Sequence, residues 1–189
     1  MIEDFDDITQ QTLLELEKTQ KQFWNVARVT GEFLNLLIRT AKSKNVLELG
    51  TSNGYSGIWI SKALKETGGK LTTVEFYEKR IIPARENFAK CGVLDIITTL
   101  EGSAIKILEY LPEDEMFDFV FIDANKSETL KYFELIHPHL IKGGILAVDN
   151  VLSHEQKVKP FIDAIAENPD YENVVLRLPA GLSLARKLR

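Results

Sequence analysis

With 189 residues, 44% of them hydrophobic and 27% charged, the chain has the makeup of one soluble globular domain, 1–189, large enough for a real core. No apolar run approaches a membrane span, and the acidic opening Met1-Ile2-Glu3-Asp4-Phe5-Asp6-Asp7 has the wrong charge for a secretion signal. A formal net charge of −5 argues against a broad nucleic-acid footprint, and a single cysteine, Cys91, rules out an internal disulfide and suits a cytoplasmic setting. Residues 8 to 22 place Ile8, Leu13, Leu14 and Leu16 among charges, the pattern of an amphipathic helix. Phe23-Trp24-Asn25-Val26 breaks it. Thr30 is the candidate cap of a second helix over 31–41, with Phe33, Leu34, Leu37 and Ile38 inward. These helices, 1–42, precede the first strand, and 43–189 is expected to form the sheet.

The stretch from Val46 to Ser61 begins as a short apolar run, turns through Gly50 and Gly54, and becomes apolar-periodic at Ile58, Ile60, Ala63 and Leu64. Strand, glycine turn and helix bring free N–H groups and a positive helix end to one point, where the polar part of a nucleotide-like ligand can sit. The glycines do not follow G-x-G-x-x-G. Glu48, on the strand before the turn, would repel a pyrophosphate and welcome a cationic amine. Glu-Leu-Gly-x-x-x-Gly-Tyr-Ser resembles the first motif of the S-adenosylmethionine-dependent O-methyltransferases, in the metal-dependent branch of catechol and caffeoyl-coenzyme A O-methyltransferases. The resemblance runs from about Trp24 to the C-terminus.

Beyond this stretch strands and helices alternate. Strands are expected over 70–75, 95–100, 117–123 and 145–149, the last entered through a Gly143-Gly144 turn. Helices are expected over 77–90 (with Pro83 inside), 103–110, 127–140 and 156–167. The runs 173–178 and 182–188, joined by Pro179-Ala180-Gly181, read as a hairpin. Repeated strand–helix units make an α/β fold, a mostly parallel sheet with helices on both faces. The closing antiparallel hairpin resembles the seven-stranded, Rossmann-like sheet of class I methyltransferases.

Ligands of such sheets lie beyond the carboxyl ends of the strands. Here those ends carry Glu48, Glu75, Glu101-Gly102, Asp123 and Asp149-Asn150. Glu75 is placed to accept from two ribose hydroxyls. Gly102-Ser103-Ala104 resembles the family's adenine-side turn, and equally reads as a helix start capped by Ser103. Adjacent strands would bring Asp123, Asp149 and Asn150 together, and two carboxylates repel unless a proton or cation joins them. Three oxygen donors without His or Cys suit Mg²⁺ or another hard divalent cation, and they match the family's metal triad. The resemblance further implies Lys126 as general base, its proton destabilised by neighbouring positive charge.

For S-adenosylmethionine the resemblance implies Glu48, Thr51, Tyr55 and the backbone at Gly50 around the amino-acid end, with Ser56 near its carboxylate. Val26 lies in a strip over the cofactor, and Asp123 touches cofactor as well as metal. It implies a homodimer and a small hydroxylated acceptor with adjacent oxygens. Asn125 and Thr129 depart from the family's usual Asp and Tyr, and the connection from Asn150 to Asn173 is short, which suggests an open mouth. Two alternatives stand beside this reading. One is methylation of a hydroxylated nucleoside in tRNA, served by Lys157, Lys159, Arg177, Arg186 and Lys187. The other is a nucleotide-binding module or dehydrogenase. His137 and His139 suit a helix C-terminus, His154 lies in a loop near the metal end, and Cys91 reads as structural.

Overall fold

A computed structural model describes residues 2–189. Seven strands, β1 (Asn45–Leu49), β2 (Lys70–Glu75), β3 (Ile97–Glu101), β4 (Phe117–Ile122), β5 (Leu140–Asp149), β6 (Tyr171–Leu176) and β7 (Leu182–Lys187), form one sheet in the order β3-β2-β1-β4-β5-β7-β6. The first five run parallel, and β7 pairs antiparallel with both β5 and β6. This is the expected α/β architecture with its closing hairpin.

The central strands are apolar on both faces, as strands covered by helices on each side must be. On one face Val46, Phe119, Phe121 and Ala147 meet helices α1 (Asp7–Lys18), α3 (Arg28–Ala41), α4 (Tyr55–Thr67) and α5 (Glu78–Lys90). On the other, Leu47, Leu49, Val120, Ile122 and Val148 meet α6 (Ala104–Glu109), α7 (Thr129–Ile136) and α8 (Glu155–Glu167). The tightest helix contact is that of α3 on α4. A β carbon on Gly31 would lie 2.4 Å from Trp59 Cδ1, so the absence of a side chain there lets the two helices close over the buried indole.

The structure corrects several boundaries. The first helix stops at Lys18, and a separate short helix, α2 (Gln20–Phe23), follows Thr19. α3 begins two residues before Thr30, which is buried inside it; the carbonyl of Ala27 starts the helix, accepting from Thr30 N (2.9 Å) and Gly31 N (3.2 Å). β3 starts at Ile97 because Leu94–Ile96 form a 3-10 turn. The helix expected over 127–140 is α7 flanked by 3-10 turns at Lys126–Glu128 and His137–His139, the second entered through Pro138. Gly143-Gly144 lie within β5. Pairing there jumps from Phe117↔Leu140 to Phe119↔Ile145, so the glycines form a bulge inside the strand.

His137 is the C-cap residue of α7, its N–H bonded to Phe133 O, but neither imidazole beside Pro138 bonds a carbonyl of that helix. His139 Nδ1 meets Glu115 O (2.8 Å) and His137 Nδ1 meets Tyr171 Oη (3.1 Å). The cation at this connection is Lys187, whose Nζ donates to His137 O, at the C-cap of α7, and to Leu140 O, at the start of β5 (2.5 and 2.8 Å). At 8% exposure Lys187 is turned inward and cannot belong to a basic rim.

Gly31→Ala tests the α3–α4 contact. Alanine favours a helix over glycine by about 1 kcal/mol, but the overpacking against fully buried Trp59 should outweigh this, for a net loss of roughly 1–2 kcal/mol in urea denaturation. A variant as stable as the parent would mean that the helices have room to part.

Candidate active site

The sheet reverses its winding between β1 and β4, and a cavity of about 840 Å³ opens there beyond the strand ends. Asp123 N donates to Leu49 O (2.8 Å), tying the end of β4 to that of β1, and Gly50 N donates to Val74 O (2.9 Å), tying the turn after β1 to β2. A β carbon on Gly50, whose φ is 104°, would lie 2.3 Å from Asp123 O. Only glycine lets the turn after β1 pass so close to the end of β4.

On the β2 side, Glu75 is buried with both oxygens engaged: Oε2 accepts from Ser52 N (2.8 Å) and Oε1 from Tyr77 N (2.9 Å). Each oxygen keeps a lone pair for a further donor, so the carboxylate can still receive a diol. Ser52 sits at φ 47°, and its Oγ donates to Phe23 O (2.7 Å), tying the glycine turn to the Phe23–Val26 strip. Val26 is buried while Trp24 is 70% exposed. The Arg80 guanidinium lies over the Trp24 ring (4.5 Å) and the Tyr77 ring (5.3 Å), bridging the strip to α5. Gly102, Ser103 and Ala104 line the same end; Ser103 occupies the cap position of α6 but makes no side-chain capping bond.

Glu48 lies under the wall rather than in it. Fully buried, it accepts from Ser56 Oγ and Thr73 Oγ1, both at 2.6 Å. Burial, reinforced by the charges of Asp123 and Glu75, pushes its carboxyl up to about 7, against the pull of the two hydroxyls. Ser56 does face the cavity. With its proton committed to Glu48, it offers an oxygen acceptor, which suits a ligand ammonium better than a ligand carboxylate. Thr51 is also buried outside the wall, its hydroxyl paired with Thr73 Oγ1 (2.6 Å). Tyr55 lines the cavity, and its hydroxyl donates to Glu17 Oε1 (2.8 Å), the carboxylate that also holds Arg28. Burial and the Glu17 charge both push that phenol up.

At the other end Lys126 Nζ meets Asp123 Oδ1 at 2.5 Å. Asp149, buried at the end of the neighbouring strand, has its Oδ1 without a hydrogen-bond partner. Burial first, and the Asp123 charge second, push Asp149 up to about 7; burial also raises Asp123, with Lys126 opposing. Asn150 follows at φ 67°, its amide only loosely engaged with Ser153 Oγ (3.4 Å). No three His, Cys, Asp or Glu side chains converge among the described residues. The donor set is therefore two carboxylates and an amide. A buried orphan oxygen and two carboxyls raised by burial, that of Asp149 also by the Asp123 charge, are what a hard divalent cation relieves, so these residues fit one.

Of the residues expected from sequence, Val26, Gly50, Tyr55, Ser56, Glu75, Gly102, Ser103, Ala104, Asp123, Lys126 and Asn150 line the cavity. Glu48, Thr51 and Asp149 stand behind them. His154, read as a loop residue, lines it too. Ser52, Phe76, Tyr77, Arg80, Glu128 and Tyr132 were not anticipated. The signal for part of this group was available: an aromatic pair directly after the strand-end acid Glu75, with an arginine one turn on.

The family model described as O-methyltransferase matches residues 5–188. A catechol O-methyltransferase of Niastella koreensis is 38% identical over 124 residues, 65% of this chain but little more than half, 56%, of that relative's length. A caffeoyl-CoA O-methyltransferase of Eucalyptus gunnii is 30% identical over 197 residues, 92% of this chain and 79% of the relative. In structure, the chain is similar to the O-methyltransferase of Bacillus cereus in complex with SAH, with TM-score 0.85, 28% identity and coverage of 99% and 100% of the two chains.

Glu48 gives a test by pH. Its folded pKa lies above that of an unfolded glutamate, so its carboxyl favours folding below about pH 4 and that contribution is lost as pH rises through about 7. Glu48→Gln should therefore lose less stability than the parent between pH 5 and pH 8, by up to about 3 kcal/mol at the alkaline end. The hydroxyls of Ser56 and Thr73 can turn to satisfy the amide. Identical stability–pH curves in urea titrations of the ligand-free proteins would show that Glu48 does not ionise there.

Proposed function

The chain belongs to the S-adenosylmethionine-dependent O-methyltransferase family, and from that membership we propose that it methylates one hydroxyl of a small vicinal diphenol held by a divalent cation. The observation that carries this reading is the pairing of a ribose-type acid, Glu75, at one end of the cavity with the Asp123–Asp149–Asn150 oxygen set at the other. A nucleoside methyl donor and a chelating acceptor then meet across the β1–β4 junction. Much of the rate would come from holding the two in line.

Glu75 would receive the ribose hydroxyls. The amino-acid end would lie by Gly50 and Ser56, whose oxygen takes the ammonium while Glu48 balances the charge from beneath. Asp123, Asp149 and Asn150 would hold Mg²⁺ or a similar cation, which when bound supplies Lewis-acid polarisation of two adjacent hydroxyl oxygens. Lys126, in contact with Asp123, would take the phenolic proton at Nζ once its ammonium has given up a proton of its own. The strip Phe23–Val26, pinned through Ser52 and Arg80, keeps water from the donor side. A small acceptor is favoured over tRNA because the basic residues that would serve tRNA are dispersed. Lys187 is inside, Lys159 pairs with Asp163 (2.7 Å) and Arg186 with Glu172 (3.4 Å).

Removing divalent metal with EDTA should abolish methylation of a catechol, with Mg²⁺ or Mn²⁺ restoring it. Lys126→Ala should lower turnover at least a hundredfold while changing acceptor KM little, as loss of a proton acceptor predicts. Full activity in excess chelator, or a Lys126→Ala enzyme as fast as the parent, would remove the corresponding assignment.

Glu75→Gln keeps an acceptor but loses the charge. A charge-assisted hydrogen bond is worth about 1.5–3 kcal/mol, so calorimetric affinity for S-adenosylhomocysteine should fall roughly tenfold to a hundredfold. Unchanged affinity would place the ribose elsewhere.

A further inference from the structure

Six charged side chains line the cavity: Glu75, Arg80, Asp123, Lys126, Glu128 and Lys157. Five of them are already engaged. Glu75 holds two backbone N–H groups, Arg80 lies against two rings, Asp123 and Lys126 hold each other, and Glu128 accepts from the Tyr132 hydroxyl. Lys157 alone has no carboxylate, ring face or side-chain acceptor among the described residues.

Its position is defined. The carbonyl of Asn150 accepts from His154 N (3.0 Å), and that of His154 accepts from Lys157 N (2.9 Å). Asn150, His154 and Lys157 therefore follow one another at i, i+4 and i+7 along the entry to α8, all three in the cavity wall. On a helical path that series covers about 10 Å, comparable with the span from the ring hydroxyls of a hydroxycinnamate to its carboxylate. His154 Nδ1 is occupied by Ser153 Oγ (3.0 Å), which leaves Nε2 as its remaining hydrogen-bonding atom.

We propose that Lys157, aided by His154 Nε2, binds a carboxylate carried by the acceptor on the side away from its two ring hydroxyls. This rests on the vicinal-diphenol reading above and narrows it to diphenols with an acidic tail. Glu128 is the opposing charge at the mouth. It faces α8 from the Lys126–Glu128 turn, and a diphenol with an amine tail would be drawn to it instead.

The test measures KM and calorimetric affinity, with S-adenosylhomocysteine present for the latter, for caffeate, neutral 4-methylcatechol and dopamine. In the parent enzyme caffeate should bind about three- to fivefold more tightly than 4-methylcatechol, the reach of one partly exposed ion pair, and dopamine less tightly than either. Lys157→Ala should bring the caffeate to 4-methylcatechol ratio to about one, Lys157→Glu should invert it, and Lys157→Arg should keep it. Lys159→Ala, on the same helix but paired with Asp163, should leave the ratio as in the parent. Equal affinities in the parent, a ratio that survives Lys157→Ala, or a preference for dopamine would overturn the proposal while leaving diphenol methylation standing. If none of the three compounds is bound or methylated, the diphenol reading falls and this inference with it.

Discussion

Everything at the site depends on how closely the turn after β1 approaches the end of β4. Gly50 rests against the carbonyl of Asp123 with no space for a β carbon. That contact sets the Glu75 side of the cavity beside the Asp123 side. It also brings the Asp123 charge close enough to reinforce the upward shifts that burial imposes on Glu48 and Asp149. The fold sets two hydroxyls against Glu48 and an ammonium against Asp123, and it leaves Asp149 Oδ1 without a hydrogen-bond partner.

The N-terminal helices answer a different need. A sheet edge that binds a ligand must be open, yet the ligand must be kept from water. Here a short strip does the covering, and its hold is polar at each end. Ser52 takes the Phe23 carbonyl, Glu17 joins Arg28 to Tyr55, and Arg80 stacks on Trp24. Such contacts are individually weak and exchange readily with water, so the strip is held less firmly than the core beneath it. The apolar anchor is Val26, buried with the core of the α3–α4 face.

Much of this was legible in the chain. Apolar runs such as Phe117–Ile122 can only be strands covered on both faces, and the acids at their ends mark the edge where ligands lie. What could not be read were features decided by contacts across the fold. Thr30 looks like a cap, but the start of α3 is set by the Ala27 carbonyl and by Arg28 reaching Glu17. Gly143-Gly144 looks like a turn, but pairing with β4 resumes beyond it and makes it a bulge. Glu48 and Ser56 were assigned separately to the ligand, whereas the 2.6 Å bond between them puts one behind the other and reverses the polarity that Ser56 presents. Lys187 reads as a surface charge by composition and is buried in fact, its ammonium bonded to the carbonyls of His137 and Leu140.

The closing hairpin has one more effect. Its tip adds no side chain to the cavity, yet the carbonyls of Ala180 and Gly181 accept from Val151, Leu152 and Ser153, the residues directly after Asn150. The left-handed backbone of Asn150 is thus held by a segment that leaves the ribosome later than any residue in the cavity wall. During synthesis the parallel strands can assemble and the Glu75 side of the cavity can take shape first. The Asn150 side is pinned only when β7 slots between β5 and β6. The cavity wall is in this way finished at the last step of topological assembly.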